Sequence, residues 1–202
     1  MNTALVVVDL QNAFCMPWGS FAQRGGKVEN LAEVMSGCRR LVEHADEVGW
    51  EIVFTAMTFS PDYHEAGLLV QDRPVIRAES AYQEGSPDAE IVEALQPVPA
   101  QAWVQRKTRY DPFAGTDFET RLRERDVSNL VVCGVLTNVC VESTVRRAYD
   151  LDFPVQVVTD ATSSTDSDLH QASLETLSRH FATCVQVSDL VGAPSSGRGE
   201  GA

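Results

Sequence analysis

A chain of 202 residues with 44% apolar and 22% charged side chains is long enough to fold as one domain around one core. Its net charge of -13 argues against nucleic acid and anionic membrane as partners, because both demand clustered Lys and Arg. No apolar run approaches the roughly 18 residues of a membrane span, and "MNTALVVVDLQ" lacks the basic start of an export signal.

The run "ALVVVDL" (4–10) predicts a strand buried on both faces, with Asp9 at its end. Over 30–49, Leu31, Val34, Met35, Cys38, Leu41 and Val42 recur at helical spacing, and Gly49 stops the helix. A second strand follows at 50–58. Residues 59–90 have weak periodicity and scattered Pro and Gly, so they predict a long excursion with a short helical piece, serving as a lid or binding loop.

Further along, a short helix is expected over 88–95 and a strand over 102–107, ending in Lys107. A charged amphipathic helix (117–126), a strand (129–134), a helix (138–150), a strand (154–161) and a helix (167–181) come next. A last strand and turn occupy 182–191, and the Gly- and Ser-rich tail 192–202 is expected to be disordered.

Strands alternating with helices predict a single-domain α/β fold over 1–191. It would be a doubly wound, Rossmann-like parallel sheet of about six strands with helices on both faces. Ligands of such sheets bind beyond the carboxyl ends of the strands. Three reactive residues fall at that edge: Asp9, Lys107, and Cys140 at the start of the helix after "NLVVCG".

Each has a plainer explanation when taken alone. A lone cysteine is most often a small buried hydrophobe, Asp9 could cap a turn, and Lys107 could be surface charge. Together they form a coherent chemical set. A helix N-terminus stabilises a thiolate and offers N–H groups to an oxyanion. A carboxylate can take the thiol proton and return it to a leaving group. An ammonium beside them favours both anions. Only two of the sixteen basic residues are lysines, Lys27 and Lys107, and of the two basic side chains only lysine can surrender its proton near neutral pH.

Cys–His and Ser–His–Asp arrangements fit less well. His44, His170 and His180 fall in predicted helices away from the strand ends, His64 lies in the excursion, and there is no GxSxG. The five cysteines are odd in number and form no CxxC pair. This predicts free thiols in a cytoplasmic protein, and no zinc site.

Three segments, "ALVVVDLQNAF", "KTRYDPFAGTDFETRLRERDVSNLVVCGVLTNVCVESTVRRAYD" and "VVTDATSS", together resemble the isochorismatase-like cysteine hydrolases over about residues 3–191. The likeness leans toward the ureidoacrylate and N-carbamoyl amidohydrolase branch. It implies Asp9 as general acid/base, Lys107 as its electrostatic partner and Cys140 as nucleophile. It also implies a cis peptide at Val135–Leu136, with the Leu136 and Cys140 N–H groups forming the oxyanion hole.

Relatives that hydrolyse nicotinamide hold a metal through Asp-x-His…His after the second strand. Here Met57 and Phe59 stand at the first two of those positions, so neither a metal nor another cofactor is expected. The implied activity is metal-independent hydrolysis of a C–N bond in a small molecule through a Cys140 thioester. An isochorismatase-type vinyl-ether hydrolase, needing only a proton from Asp9, is the alternative, and a non-catalytic binding domain is a more distant one. Arg73, Arg77 and Tyr82 of the excursion are candidate pocket residues, and a homo-oligomer is expected.

Overall fold

The strand β1 (Asn2–Val8) is buried along nearly its whole length, as its unbroken apolar run requires. In a computed structural model describing residues 2–96 and 98–191, it is followed by two single-turn helices, α1 (Asn12–Cys15) and α2 (Ser20–Gln23). Next come α3 (Leu31–Val48), β2 (Glu51–Met57), and the short helices α4 (Leu68–Asp72) and α5 (Val75–Ala78). The remaining elements are β3 (Trp103–Lys107), α6 (Phe118–Glu124), β4 (Val127–Val135), α7 (Glu142–Asp150), β5 (Val155–Ser163), α8 (Ser167–His180), β6 (Thr183–Val185) and α9 (Val187–Val191).

The six strands form one parallel sheet in the order β3-β2-β1-β4-β5-β6. This is the doubly wound α/β architecture, and the strand order reverses between β1 and β4. Alternate residues of β1 feed opposite cores. Leu5 and Val7 pack with Val34, Cys38, Leu41 and Ala45 of α3. Ala4, Val6 and Val8 pack with Phe118 and Leu122 of α6, Val145 and Ala148 of α7, and Leu177 of α8.

At the reversal point β4 is held against β1 by the absence of a side chain. A Cβ on Gly134 would lie 2.2 Å from the Val8 carbonyl oxygen, and its φ is +106°. Glycine is therefore required both for the approach and for the backbone angle.

Two expected elements differ. Residues 88–95 are not a helix but two 3-10 turns, Pro87–Ala89 and Glu93–Leu95, flanking a bridge between Gln11 and Ile91. The backbone groups a helix would use are taken by distant partners: Glu90 O accepts from Asn12 N at 2.8 Å, and Val92 N donates to Leu10 O at 3.0 Å. Residues 182–191 hold only a three-residue strand and then α9, whose entry is fixed by Gln186 N donating to Asp189 Oδ2 and Val187 N donating to Asp160 Oδ1, both at 2.8 Å. The excursion carries its own small core of Ala13, Met57, Phe59, Tyr63, Ala66, Ile76, Ala81 and Tyr82. The tail 192–202 lies outside the described residues.

Candidate active site

Asp9, Lys107 and Cys140 meet at the carboxyl edge of the sheet. Asp9 follows β1 with a left-handed φ of 51°, which turns the chain out of the sheet. Its side chain is fully buried, and Oδ2 lies 2.7 Å from Lys107 Nζ, whose side chain is likewise inaccessible. Lys107 is carried there by the last residue of β3, two strands away, and its ammonium also donates to Tyr110 O at 2.9 Å. The other carboxylate oxygen, Oδ1, accepts from Thr55 Oγ1 at 2.7 Å.

Oδ2 sits beside the ammonium but outside hydrogen-bonding angles. It is the one oxygen of the carboxylate left open to another donor. The Cys140 thiol lies close enough to Asp9 and Lys107 for both charges to act on its ionisation.

Electrostatics set the resting protonation. Burial pulls the Lys107 ammonium down, but the Asp9 carboxylate beside it, with a smaller pull from Cys140, outweighs that, and its pKa is raised. The Cys140 thiol is pushed well up. Burial is the largest cause, and the Asp9 carboxylate adds to it against the opposing pull of Lys107. The sequence places Cys140 where a helix start and an ammonium should favour a thiolate. The structure corrects this: at 5% exposure desolvation wins, and the resting group is a thiol.

The turn that presents Cys140 is a π-type turn over Thr137–Val141, entered through a cis Val135–Leu136 peptide. Val139 N and Val141 N both donate to Leu136 O at 3.1 Å. Helix α8 holds this turn from behind. Thr137 Oγ1 lies 2.8 Å from His170 Nδ1 and 3.1 Å from Thr162 Oγ1, and Thr162 Oγ1 donates to Gly134 O at 2.7 Å. Ser173 Oγ donates to Thr137 O at 3.3 Å. His170, read from sequence as remote from the strand ends, therefore reaches the turn that carries Cys140, because α8 packs against that turn and β5.

Cys140 and Leu136 open onto a cavity of about 620 Å³. Its other walls are Phe14 of α1, Phe21 and Arg24 around α2, Gly25 to Lys27 beyond it, Met57 of β2, and Leu69, Arg73, Val75, Ile76 and Tyr82 of the excursion. Tyr110, Val139 and Thr165 complete it. Of the excursion candidates, Arg73 and Tyr82 line the cavity and Arg77 does not. Phe59 is buried in the excursion's core. His64 is outside the cavity, exposed, with Nδ1 2.8 Å from Asp62 Oδ1. Possible metal-ligand atoms of Asp62, His64 and Glu65 lie within 4.8 Å of one another there.

Several supporting residues escaped the sequence reading. Thr55 was legible only as a hydroxyl within the apolar run "WEIVFTAMT". Gln11, fully buried, exchanges hydrogen bonds with both backbone groups of Met57 (Nε2 to O 2.9 Å, N to Oε1 2.8 Å) and donates to Ala89 O at 2.8 Å. It ties the end of β2 to the excursion. No local periodicity marks such a residue.

A Cys, an Asp and a Lys converge at the reversal point of a doubly wound sheet, the arrangement that the resemblance to cysteine hydrolases implies. The comparisons agree: the isochorismatase domain matches residues 3–189, and the chain belongs to that family. It is 30% identical to the ureidoacrylate amidohydrolase RutB of Agrobacterium fabrum, over 96% of this chain and 90% of that protein. It is 32% identical to the RutB of Pseudomonas savastanoi pv. phaseolicola, over 96% and 86%. Among solved structures, a cysteine hydrolase from Pseudomonas syringae pv. phaseolicola superposes with a TM-score of 0.85 at 26% identity, covering 94% of this chain and 91% of that one.

Proposed function

We propose that this protein is a metal-independent amidohydrolase that cleaves a C–N bond of a small molecule through a thioester on Cys140. The observation that carries the reading is the wholly buried Asp9–Lys107 pair, 2.7 Å apart, against which the Cys140 thiol packs. The relatives named as amidohydrolases, aligned along nearly their whole length, support the same chemistry.

The steps follow from the site. As the substrate carbonyl arrives, Asp9 takes the thiol proton through Oδ2, and Sγ attacks the carbonyl carbon. The oxyanion is received by the Leu136 and Cys140 N–H groups. Asp9 returns the proton to the nitrogen, the C–N bond breaks and the amine leaves. Asp9 then deprotonates a water that hydrolyses the thioester and restores the thiol. Lys107, 2.7 Å from Asp9, stabilises negative charge on sulfur during attack. The raised thiol pKa fits this order, since the thiolate is generated only as attack proceeds.

The test compares wild type and Cys140→Ala on ureido acids, primary amides and isochorismate. Release of ammonia or amine by the wild type alone is expected. Turnover of isochorismate only, undiminished by Cys140→Ala, would replace this reading by vinyl-ether hydrolysis. Full activity after dialysis against EDTA is expected. A tightly bound zinc or iron whose removal abolishes turnover would contradict metal independence.

The reading extends to a cytoplasmic homo-oligomer. No helix among the described residues is long and apolar enough to cross a membrane. Free thiols at all five cysteines support the compartment, and half-exposed Trp18 and Val104 of the edge strand β3, which line one surface groove, support self-association. Sedimentation of the purified protein checks the second point.

A further inference from the structure

A hydroxyl owns one hydrogen, and that rule sets the direction of the hydrogen bonds behind the turn that carries Cys140. Parallel pairing puts Thr162 of β5 beside Gly134 of β4, and Thr162 Oγ1 spends its hydrogen on the Gly134 carbonyl at 2.7 Å. The 3.1 Å contact between Thr162 Oγ1 and Thr137 Oγ1 must therefore be filled by the Thr137 hydrogen. Otherwise two buried oxygens would face each other with no hydrogen between them. Thr137 then has none left for His170, so across their 2.8 Å contact the ring nitrogen Nδ1 is the donor. The chain runs one way, from His170 Nδ1–H to Thr137, from Thr137 to Thr162, and from Thr162 to Gly134 O.

It grips both ends of one short segment. Gly134 directly precedes Val135 and Leu136, and Thr137 directly follows them. Leu136 carries one of the two N–H groups assigned above to the oxyanion. The head of the chain is itself fixed: Asp166 Oδ1 caps α8 by accepting from Asp168 N and Leu169 N at 3.0 Å each, and His170 N donates to Asp166 O at 3.0 Å. His170 does not line the cavity above Cys140. It borders a surface groove with Asp160, Gln171 and Glu175, and its Nε2 has no partner among the described residues. Burial lowers its pKa, so at mildly alkaline pH the ring is neutral and its one nitrogen-bound hydrogen is committed to Nδ1.

Resting on the amidohydrolase reading, we infer that His170 is a positioning residue for the oxyanion hole: as the Nδ1–H tautomer it heads the hydrogen-bond chain that holds the Leu136 N–H in place. Donors preset in this way stabilise the developing charge without reorganising during the reaction. Removing the head donor leaves the Thr137 hydroxyl without its outer partner and loosens the turn, where a shift of ~1 Å is enough to cost ~10²-fold in rate.

Heteronuclear NMR of protein labelled at its histidine nitrogens, at mildly alkaline pH, reads the tautomer, with His170→Asn identifying the signal by its loss. The hydrogen is expected on Nδ1. Kinetics then read the role. His170→Leu should lower kcat by roughly 10–100-fold with KM within about twofold, because the ring lies outside the cavity. Its melting curve should stay cooperative. His170→Asn, whose amide nitrogen can stand where Nδ1 stood, should recover most of the lost kcat. Thr162→Val cuts the chain at its other end, and adding His170→Leu to it should cost little more than Thr162→Val alone. Hydrogen on Nε2, a native kcat in His170→Leu, or a loss that His170→Asn does not recover overturns the inference and leaves the amidohydrolase reading standing. A wild type that releases no amine from any ureido acid or amide sinks that reading, and the oxyanion role of His170 with it, even with the hydrogen on Nδ1.

Discussion

The cavity has two sides built on different principles. On the sheet side, Asp9, Lys107 and Cys140 hang from the ends of three parallel strands or the turn after them, and are almost wholly buried. On the other side, the α2 loop and the excursion contribute aromatic, aliphatic and cationic groups from short helices with a separate small core. The sheet side can hold an ion pair at 2.7 Å because six strands fix its backbone. The excursion side can vary in shape without disturbing that pair. On the proposed function, the difference teaches a division of labour, with bond breaking assigned to the sheet and selection to the excursion.

The largest test of that division is Cys140→Ala. Turnover should fall by on the order of 10⁴–10⁶, as for other nucleophile deletions, with the thermal midpoint nearly unchanged because a buried thiol becomes a methyl. Steady-state kinetics and a melting curve check both halves. Next are Asp9→Asn and Lys107→Met, each expected to lower kcat by about 10²–10⁴. Lys107→Met should also cost roughly 3–5 kcal/mol in urea unfolding, since it strands a buried carboxylate. A Lys107→Met protein of native stability and activity would mean the pair is ornamental to the sheet side.

A smaller effect is expected from Thr55→Val, which strips Asp9 Oδ1 of its hydroxyl donor. About 1–3 kcal/mol of stability should be lost, with kcat falling about tenfold. Least of all is Leu69→Ala on the excursion wall. It should raise KM a few-fold with kcat and stability held, the latter to within about 1 kcal/mol. If Leu69→Ala lowered kcat as far as Thr55→Val does, the two sides would not be separable.

The sheet side also predicts a pH limit. Cys140 is raised above its ordinary value of 9.0, and Cys15, buried beside Cys38 and Asp9, is pushed up to about 12. The unfolded chain ionises these thiols first. Their contribution to stability is therefore complete below pH 9.0 and is lost as pH climbs toward 12. Lys107, raised above 10.5, works in the same direction: its stabilisation is full below that pH and fades above it. Urea midpoints should stay level to about pH 8 and fall from about pH 9. A midpoint rising between pH 9 and 11 would overturn the assignment of these groups as buried and protonated.

How much of this was legible in the sequence depends on the length scale of each feature. The β-branched run of β1, the helical spacing of α3 and the alternation of strands with helices determined the α/β class, because burial on two faces or one stripe leaves a periodic trace along the chain. Asp9, Lys107 and Cys140 were legible because each sits at a strand end or the turn after one, where a parallel sheet gathers ligands.

Tertiary structure alone decided the rest. The 88–95 segment gave up its helix to hydrogen bonds with residues about eighty positions earlier in the chain. His170 came to the turn that carries Cys140 through the fold of α8. Lys27, conspicuous in sequence only for its rarity, became a cavity residue when Gly26 passed over Phe21. The protonation of Cys140 was decided last, by how much water the assembled walls exclude, a quantity that no stretch of sequence carries by itself.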